Sequence, residues 1–264
     1  MKARSYTFSS AVAAIALLIA PLFSHAAETK MTPPEADTFV KNSHYEANKA
    51  PAPEIKLDLS KGEKAVKDAF ADLAKDAKKL CKKGRIVSRL NAEKSSLKVT
   101  AFKNYKIPVV GKFKHADGYL VWNSKDKEPK PEFHLVIDTG SYDSGVAERD
   151  SRVKHFLLHA DSKKGAVAKL EGEYRGDLNP GRKDVQGKLK IDGHKYAISA
   201  SSNVTKSEST WTIQSAAPTR LTVDILGKDF QELMALCNHE ALTPVVDLEW
   251  DLTFDTSCEA SCAN

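Results

Sequence analysis

Val246-Asp247-Leu248-Glu249-Trp250-Asp251-Leu252-Thr253-Phe254 decides the fold class. Large apolar side chains alternate strictly with acidic or hydroxyl side chains through it, and a period of two places successive side chains on opposite faces of a sheet. One face is therefore apolar and the other wet. The same alternation recurs at Leu97, Val99 and Ala101, at Tyr119 and Val121 beside Trp122, and at Phe133, Leu135 and Ile137. It returns at Tyr196, Ile198 and Ala200, at Trp211 and Ile213, and at Leu221, Val223 and Ile225. Asp117-Gly118, Asn179-Pro180-Gly181 and Asp192-Gly193 read as turns between these strands. Strands do not alternate regularly with helices, so an antiparallel barrel or sandwich is expected rather than a doubly wound α/β sheet.

Two segments break the pattern. Val66, Phe70, Leu73, Ala77, Leu80 and Cys81 recur at three- and four-residue spacing, with lysines over much of the remaining surface. Ser60 and Glu63 form a candidate capping box, and Gly84 is a natural stop. An amphipathic helix is expected over about residues 61–82, docked by one face. Its basic surface is also compatible with transient contact with an acidic membrane. A second, short helix is expected from Lys228 to Cys237, its apolar face formed by Phe230, Leu233, Met234 and Cys237.

The beginning of the sequence has a different character. Lys2 and Arg4 precede an apolar run from Ala11 to Phe23, and Ser24-His25-Ala26 supplies small residues before a cut after Ala26. This is the pattern of a cleaved export signal, and the run falls short of the roughly 20 residues needed to span a bilayer. Residues 1–26 are thus expected to be a signal peptide, with the periplasm as the destination. Residues 27–59, with Pro33-Pro34 and Pro51-Ala52-Pro53, read as a flexible tether. They are followed by the helix region 60–84, a strand-rich body over 85–256 and a tail over 257–264.

Cleavage would leave 238 of the 264 residues, with 38 basic and 35 acidic side chains once Lys2 and Arg4 are lost. That near balance argues against nucleic-acid binding. No later segment is long and apolar enough for a permanent membrane span, and the sequence leaves homo-oligomerisation open. Export makes disulfides permissible among Cys81, Cys237, Cys258 and Cys262. Cys81 and Cys237 lie on the apolar faces of the two expected helices, which favours their pairing and leaves Cys258 with Cys262. Other connectivities, or free thiols, remain open.

Further motifs carry a family resemblance. Asp138-Thr139-Gly140-Ser141-Tyr142-Asp143-Ser144-Gly145 is followed by Val146-Ala147-Glu148-Arg149-Asp150-Ser151-Arg152-Val153 and then Phe156-Leu157-Leu158. With Gly111-Lys112-Phe113, Gly187-Lys188-Leu189-Lys190-Ile191-Asp192-Gly193 and the final strand, this order resembles the YceI-like lipid-binding proteins over about residues 86–256. The chain departs from commoner members at Lys103-Asn104-Tyr105-Lys106-Ile107-Pro108, where they carry a histidine and glycine-rich stretch. The resemblance implies an extended antiparallel, lipocalin-like β-barrel that holds an isoprenoid or another long amphiphilic lipid. The candidate lining residues are Phe113, Tyr119, Phe133, Leu135, Ile137, Leu189, Ile191, Trp211, Leu248, Trp250 and Phe254. A barrel packed solid with the same residues, serving as an exported structural or interaction module, is the alternative.

Chemistry-bearing patterns are weaker. Arg149 and Asp150 are expected to anchor the loop after Asp138 through charge-assisted hydrogen bonds rather than to catalyse. His155 and His159 have helical spacing for a metal, but lack the glutamate of HExxH and a third ligand. Cys237, His239, Cys258 and Cys262 suit zinc only if the thiols stay reduced. Ser141 and Ser144 do not stand in a nucleophile-elbow pattern, and no phosphate-binding loop or dinucleotide fingerprint is present. The expectation is a non-enzymatic protein without metal or cofactor, a lipid-modifying enzyme being the weakest reading.

Overall fold

The protein is described by a computed structural model over residues 55–103, 106–123, 125, 127, 130–176, 179–222, 232–233, 236 and 242–255. The described strands are β1 (Ile86–Leu90), β2 (Ser96–Lys103), β3 (Ile107–Phe113), β4 (Ala116–Trp122), β5 (Glu132–Asp138) and β6 (Tyr142–Asp143). They continue with β7 (Val167–Tyr174), β8 (Gly181–Ile191), β9 (His194–Lys206), β10 (Thr210–Ser215), β11 (Thr219–Thr222) and β12 (Leu242–Asp255). The helices are α1 (Ser60–Lys82) and α2 (Ala147–Phe156).

Several of these strands are halves of one bent stave. β1 and β2 both pair with β12, through Arg89 opposite Asp255 and Leu97 opposite Trp250, while β10 and β11 follow one another along its other edge. β4 and β3 continue this arrangement on β1 and β2, and β5 and β6 continue it on β4 and β3. The result is a closed, antiparallel, eight-stave barrel running β1/β2, β3/β4, β5/β6, β7, β8, β9, β10/β11 and β12. Closure removes the free sheet edges that would otherwise template aggregation. At the bend between β1 and β2 the Asn91 side chain accepts from the Lys94 amide at 3.2 Å, and Ser95 Oγ accepts from the Thr253 amide at 3.0 Å. The interrupted ladder is thereby satisfied locally.

Because the staves are antiparallel, their connections alternate between two ends. The β2–β3, β6–β7, β8–β9 and β11–β12 connections share one end, here the hairpin end; β4–β5, β7–β8 and β9–β10 share the other. The β8–β9 turn is the expected Asp192-Gly193, both residues having positive φ (46° and 81°), as a tight hairpin requires. Asp117-Gly118, in contrast, is no turn. It lies inside β4, where Asp117 accepts from Arg89 Nη2 at 2.6 Å and Gly118 faces Leu135 across the ladder. A Cβ on Gly118 would stand 2.3 Å from Leu135 Cδ2, so this glycine serves close side-chain packing.

α1 lies on the outside of the barrel. Its Leu73 and Ala77, with Ala69, Phe70, Leu80 and Cys81 around them, cover Val87, Tyr119, Val121 and Val136. The expected capping box does not form: Asp58, just before the Leu59 N-cap, accepts from both the Ser60 amide (3.1 Å) and hydroxyl (2.6 Å). Gly84, at φ 76°, ends the helix as anticipated, its amide bonding the Cys81 carbonyl at 2.8 Å. The signal peptide, nearly all of the tether, most of the expected helix over 228–237, and the tail lie outside the described residues.

Candidate functional site

The inner face of the barrel is built almost wholly from apolar side chains. From the opposite end towards the hairpin end β12 sends in Phe254, Leu252, Trp250, Leu248 and Val246, and neighbouring staves add Leu120, Phe133, Leu135, Ile137, Leu170, Val185, Ile198, Val204 and Ile213. The alternation of apolar and wet residues in β12 therefore maps directly onto inside and outside. Inner-wall polar atoms include Ser202 Oγ, which accepts from the Trp250 indole N–H at 3.2 Å, and the Tyr174 hydroxyl, whose pKa burial raises above its ordinary value.

Burial is graded along the barrel axis. In the middle and towards the opposite end most inner residues are packed out: Phe254, Leu120, Val185 and Ile213 have no accessible surface, while Leu90 and Trp122 are partly buried. Trp122 packs edge-on to Trp211 at 5.9 Å there, with Lys206 Nζ 4.8 Å from the Trp211 ring. Towards the hairpin end the inward-facing Val99, Phe113, Leu189, Ile191, Ala200 and Val246 are only partly buried, although they pack on the same core. Space next to an inward-facing apolar side chain is the physical requirement for an apolar guest.

Ten of the expected lining residues, Phe113, Phe133, Leu135, Ile137, Leu189, Ile191, Trp211, Leu248, Trp250 and Phe254, lie on or against this inner core. Tyr119 does not. It points outward, its ring tilted against that of His134 at 4.9 Å, with the other side chains beneath α1. Burial there, with Asp76 and the glutamates Glu132 and Glu171 nearby, pushes its phenol up to about 12. The error has a clear cause: Gly118 to Val121 is buried on both faces, so alternation cannot say which face is inner. Among the partly accessible inner residues Val99, Ala200 and Val246 stand outside the expected lining set, although each is a member of an alternating run in the sequence.

The segment after β5 forms a separate polar assembly at the hairpin end. Ser144 is its hub: its amide donates to Asp150 Oδ1 at 3.0 Å and its hydroxyl bonds the same carboxylate. Arg149 Nε donates to Ser144 Oγ at 2.7 Å, and Arg149 Nη2 donates to the Ser144 carbonyl at 2.9 Å. α2 makes this possible, because its first turn brings both adjacent side chains back onto one loop. Ser141 Oγ donates to the Asp138 carbonyl at 2.6 Å, and Thr139 Oγ1 donates to the Gly165 carbonyl at 2.6 Å. These hydroxyls tie backbone together. Tyr142 then lies over Gly111 and packs edge-on to Phe113 at 5.8 Å; a Cβ on Gly111 would overlap the phenol ring. Burial, and to a lesser degree Asp150, raises the Tyr142 pKa.

A recess of about 400 Å³ lies outside the barrel at this end, lined by His155, His159, Asp161, Ser162, Lys163, Lys164 and Asp192. His155 Nδ1 pairs with Asp161 at 2.6 Å and His159 Nδ1 pairs with Asp192. Each imidazole is thus held by its own carboxylate rather than shared with the other. Among the described residues no three His, Cys, Asp or Glu side chains gather as a metal site. The alternative zinc set of Cys237, His239, Cys258 and Cys262 lies outside them.

A family model described as the YceI-like domain matches residues 89–257, and the chain belongs to that family. Among solved structures it is similar to a polyisoprenoid binding domain from Saccharophagus degradans implicated in plant cell wall breakdown, at 21% identity and TM-score 0.52, over 64% of this chain and 98% of that one. BcnA of Burkholderia cenocepacia aligns at 15% identity and TM-score 0.48, over 62% and 98% of the two chains. The Campylobacter jejuni YCEI protein aligns at 16% identity and TM-score 0.40, over 56% and 84%. No curated protein matches the chain.

Proposed function

We propose that this YceI-like barrel is a non-enzymatic binding or carrier protein for an isoprenoid or another long-chain amphiphile, exported to the periplasm. The observation that carries the reading is the inner wall: apolar but for a few buried hydroxyls, packed out around Leu120, Val185 and Phe254, and partly accessible around Val99, Leu189 and Val246. A hydrocarbon chain entering from the hairpin end meets that accessible wall. Each methylene it buries contributes about 0.8 kcal/mol, so a chain of many methylenes binds without any catalytic group. The hydroxyls of Ser141 and Ser144, the obvious nucleophile candidates, are engaged in closing loops. A lipid of this kind needs shielding in a watery compartment, which fits the export signal read at residues 1–26.

The same compartment suits a disulfide between Cys81 and Cys237 and a clip between Cys258 and Cys262. The longer loop, about 157 residues, would restrict the unfolded chain by on the order of 5 kcal/mol in the chain-entropy picture. Alkylation of the unfolded, unreduced protein followed by mass measurement is expected to find no free thiol.

Gentle purification from its source, then native and denaturing mass spectrometry, tests the function. A retained species that is released on unfolding and has the mass of a long-chain lipid is expected. A homogeneous apo protein that also binds no amphiphile from a diverse set would refute the carrier and leave the solid interaction module in its place.

A further inference from the structure

The exposed large apolar side chains of the described residues are gathered at one end of the barrel. Ile107, Val110, Val146 and Leu157 are 54%, 46%, 47% and 37% exposed, and all lie on β3 or on the β6–β7 connection, at the hairpin end. Ile107 stands at the outer end of the β2–β3 hairpin, opposite Lys103, and Val110 lies three residues further along β3, opposite Thr100 and on the other face of the strand.

Charge is concentrated at the same place. From Phe102 to Ala116 the chain carries four lysines and neither aspartate nor glutamate. Neighbouring elements neutralise only part of this: Asp143 bonds Lys114 at 2.7 Å and stands opposite Lys112 in the ladder. The other acids of this end have basic neighbours of their own, Glu148 with Arg152, Asp150 with Arg149 through Ser144, Asp161 with His155 and Asp192 with His159. Lys106, Lys163 and Lys164 are exposed and form no ion pair with a carboxylate among the described residues, and Lys112 is exposed opposite an Asp143 that already bonds Lys114. Apolar side chains projecting through a ring of lysines are the combination that inserts shallowly into a bilayer and is held there by acidic headgroups.

We propose that the hairpin end docks on the surface of a membrane containing anionic lipid, with Ile107 and Val110 entering the headgroup region and Lys106 and Lys112 contacting lipid phosphates. The docked face is the end at which the inner wall is accessible, so a lipid would exchange between bilayer and barrel without crossing bulk water. α1, the other basic amphipathic surface, is not the docking element, because its apolar face is already spent on Val87, Tyr119, Val121 and Val136.

Co-flotation of the full processed chain with phosphatidylglycerol-rich and with pure phosphatidylcholine vesicles tests the proposal. Binding only to the anionic vesicles, weakening as salt is raised, is expected. Ile107→Asp with Val110→Asp should abolish it, and Lys106→Gln with Lys112→Gln should weaken it by about fivefold per lysine. The control pair Lys78→Gln and Lys82→Gln on α1 should leave it unchanged. All of these side chains are exposed, so circular dichroism and melting curves should match the parent. Docking is overturned if the parent ignores anionic vesicles, if the hairpin variants float as well as the parent, or if the α1 pair weakens binding equally. The hairpin variants should still take up a soluble long-chain amphiphile. Vesicle binding by a protein that takes up no amphiphile would keep the docking surface and remove the carrier function.

Discussion

β12 and β4 both supply buried apolar side chains, but they do so differently. β12 buries its inner face, Leu248, Trp250, Leu252 and Phe254, and turns Glu249 and Asp251 outward. β4 buries both faces: Leu120 joins the barrel interior, while Tyr119 and Val121 join the seam beneath α1. The molecule therefore has two apolar clusters of different kinds. The interior is enclosed by the closed sheet itself and has more of its partly buried side chains towards the hairpin end, whereas the seam is a helix-on-sheet contact that exists only while α1 is docked. On the proposed function only the first receives a guest.

The largest separation between the two should come from truncating each. Phe133→Ala on the inner wall removes a ring packed against Tyr174 at 5.7 Å and should lower global stability by about 3–5 kcal/mol in denaturant unfolding. Leu73→Ala in the seam should lower it by about 2 kcal/mol and act locally. Hydrogen exchange is expected to speed up in α1 while the amides of β8 and β9 stay protected; equal acceleration in both would mean that the seam and barrel unfold as one unit.

A pH effect sharpens the same contrast. The Tyr119 phenol is raised to about 12, above its unfolded value of about 10, so burial favours the neutral form. Its contribution to docking is fully present below pH 10 and is lost as pH rises from about 10 to about 12. Helix release, followed by tyrosinate absorbance and circular dichroism, should fall in that window and move to higher pH in Tyr119→Phe. A smaller effect of opposite sign is expected at the hairpin end. The hydrogen bond from Lys114, then the Gly145 amide, hold Asp143 at about 2. Its contribution is present above about pH 4, the unfolded range, and is lost as pH falls towards 2. Asp143→Asn should lower the melting temperature slightly at neutral pH and not at all near pH 2.

Much of this architecture was legible in the residues. Strict alternation located β12 and its correct face, because its inner and outer environments differ in polarity; in β5 Phe133, Leu135 and Ile137 fall on the inner face although Val136 on the outer face is buried beneath α1. The 3.6-residue recurrence from Val66 to Cys81 located α1 within a residue. What failed did so for local reasons. Asp117-Gly118 has turn composition, yet its glycine answers a contact with Leu135 that becomes visible only when β5 is laid beside β4. Ser60 and Glu63 have capping composition, but Asp58 reaches the helix start first. The bending of staves into β1/β2, β3/β4 and β5/β6 left no periodic signal, since it depends on where each half finds its partner. The accessible inner wall was not legible either, because burial along a barrel axis is a property of the closed sheet.

Photo-crosslinking with a long-chain amphiphile carrying a diazirine at its tail tests the central claim most directly. Saturable labelling is expected on the inner faces of β2, β3, β8, β9 and β12, at or beside Val99, Phe113, Leu189, Ala200 and Val246. Labelling confined to α1 and the outward face of β4, or spread over the surface without saturation, would contradict it.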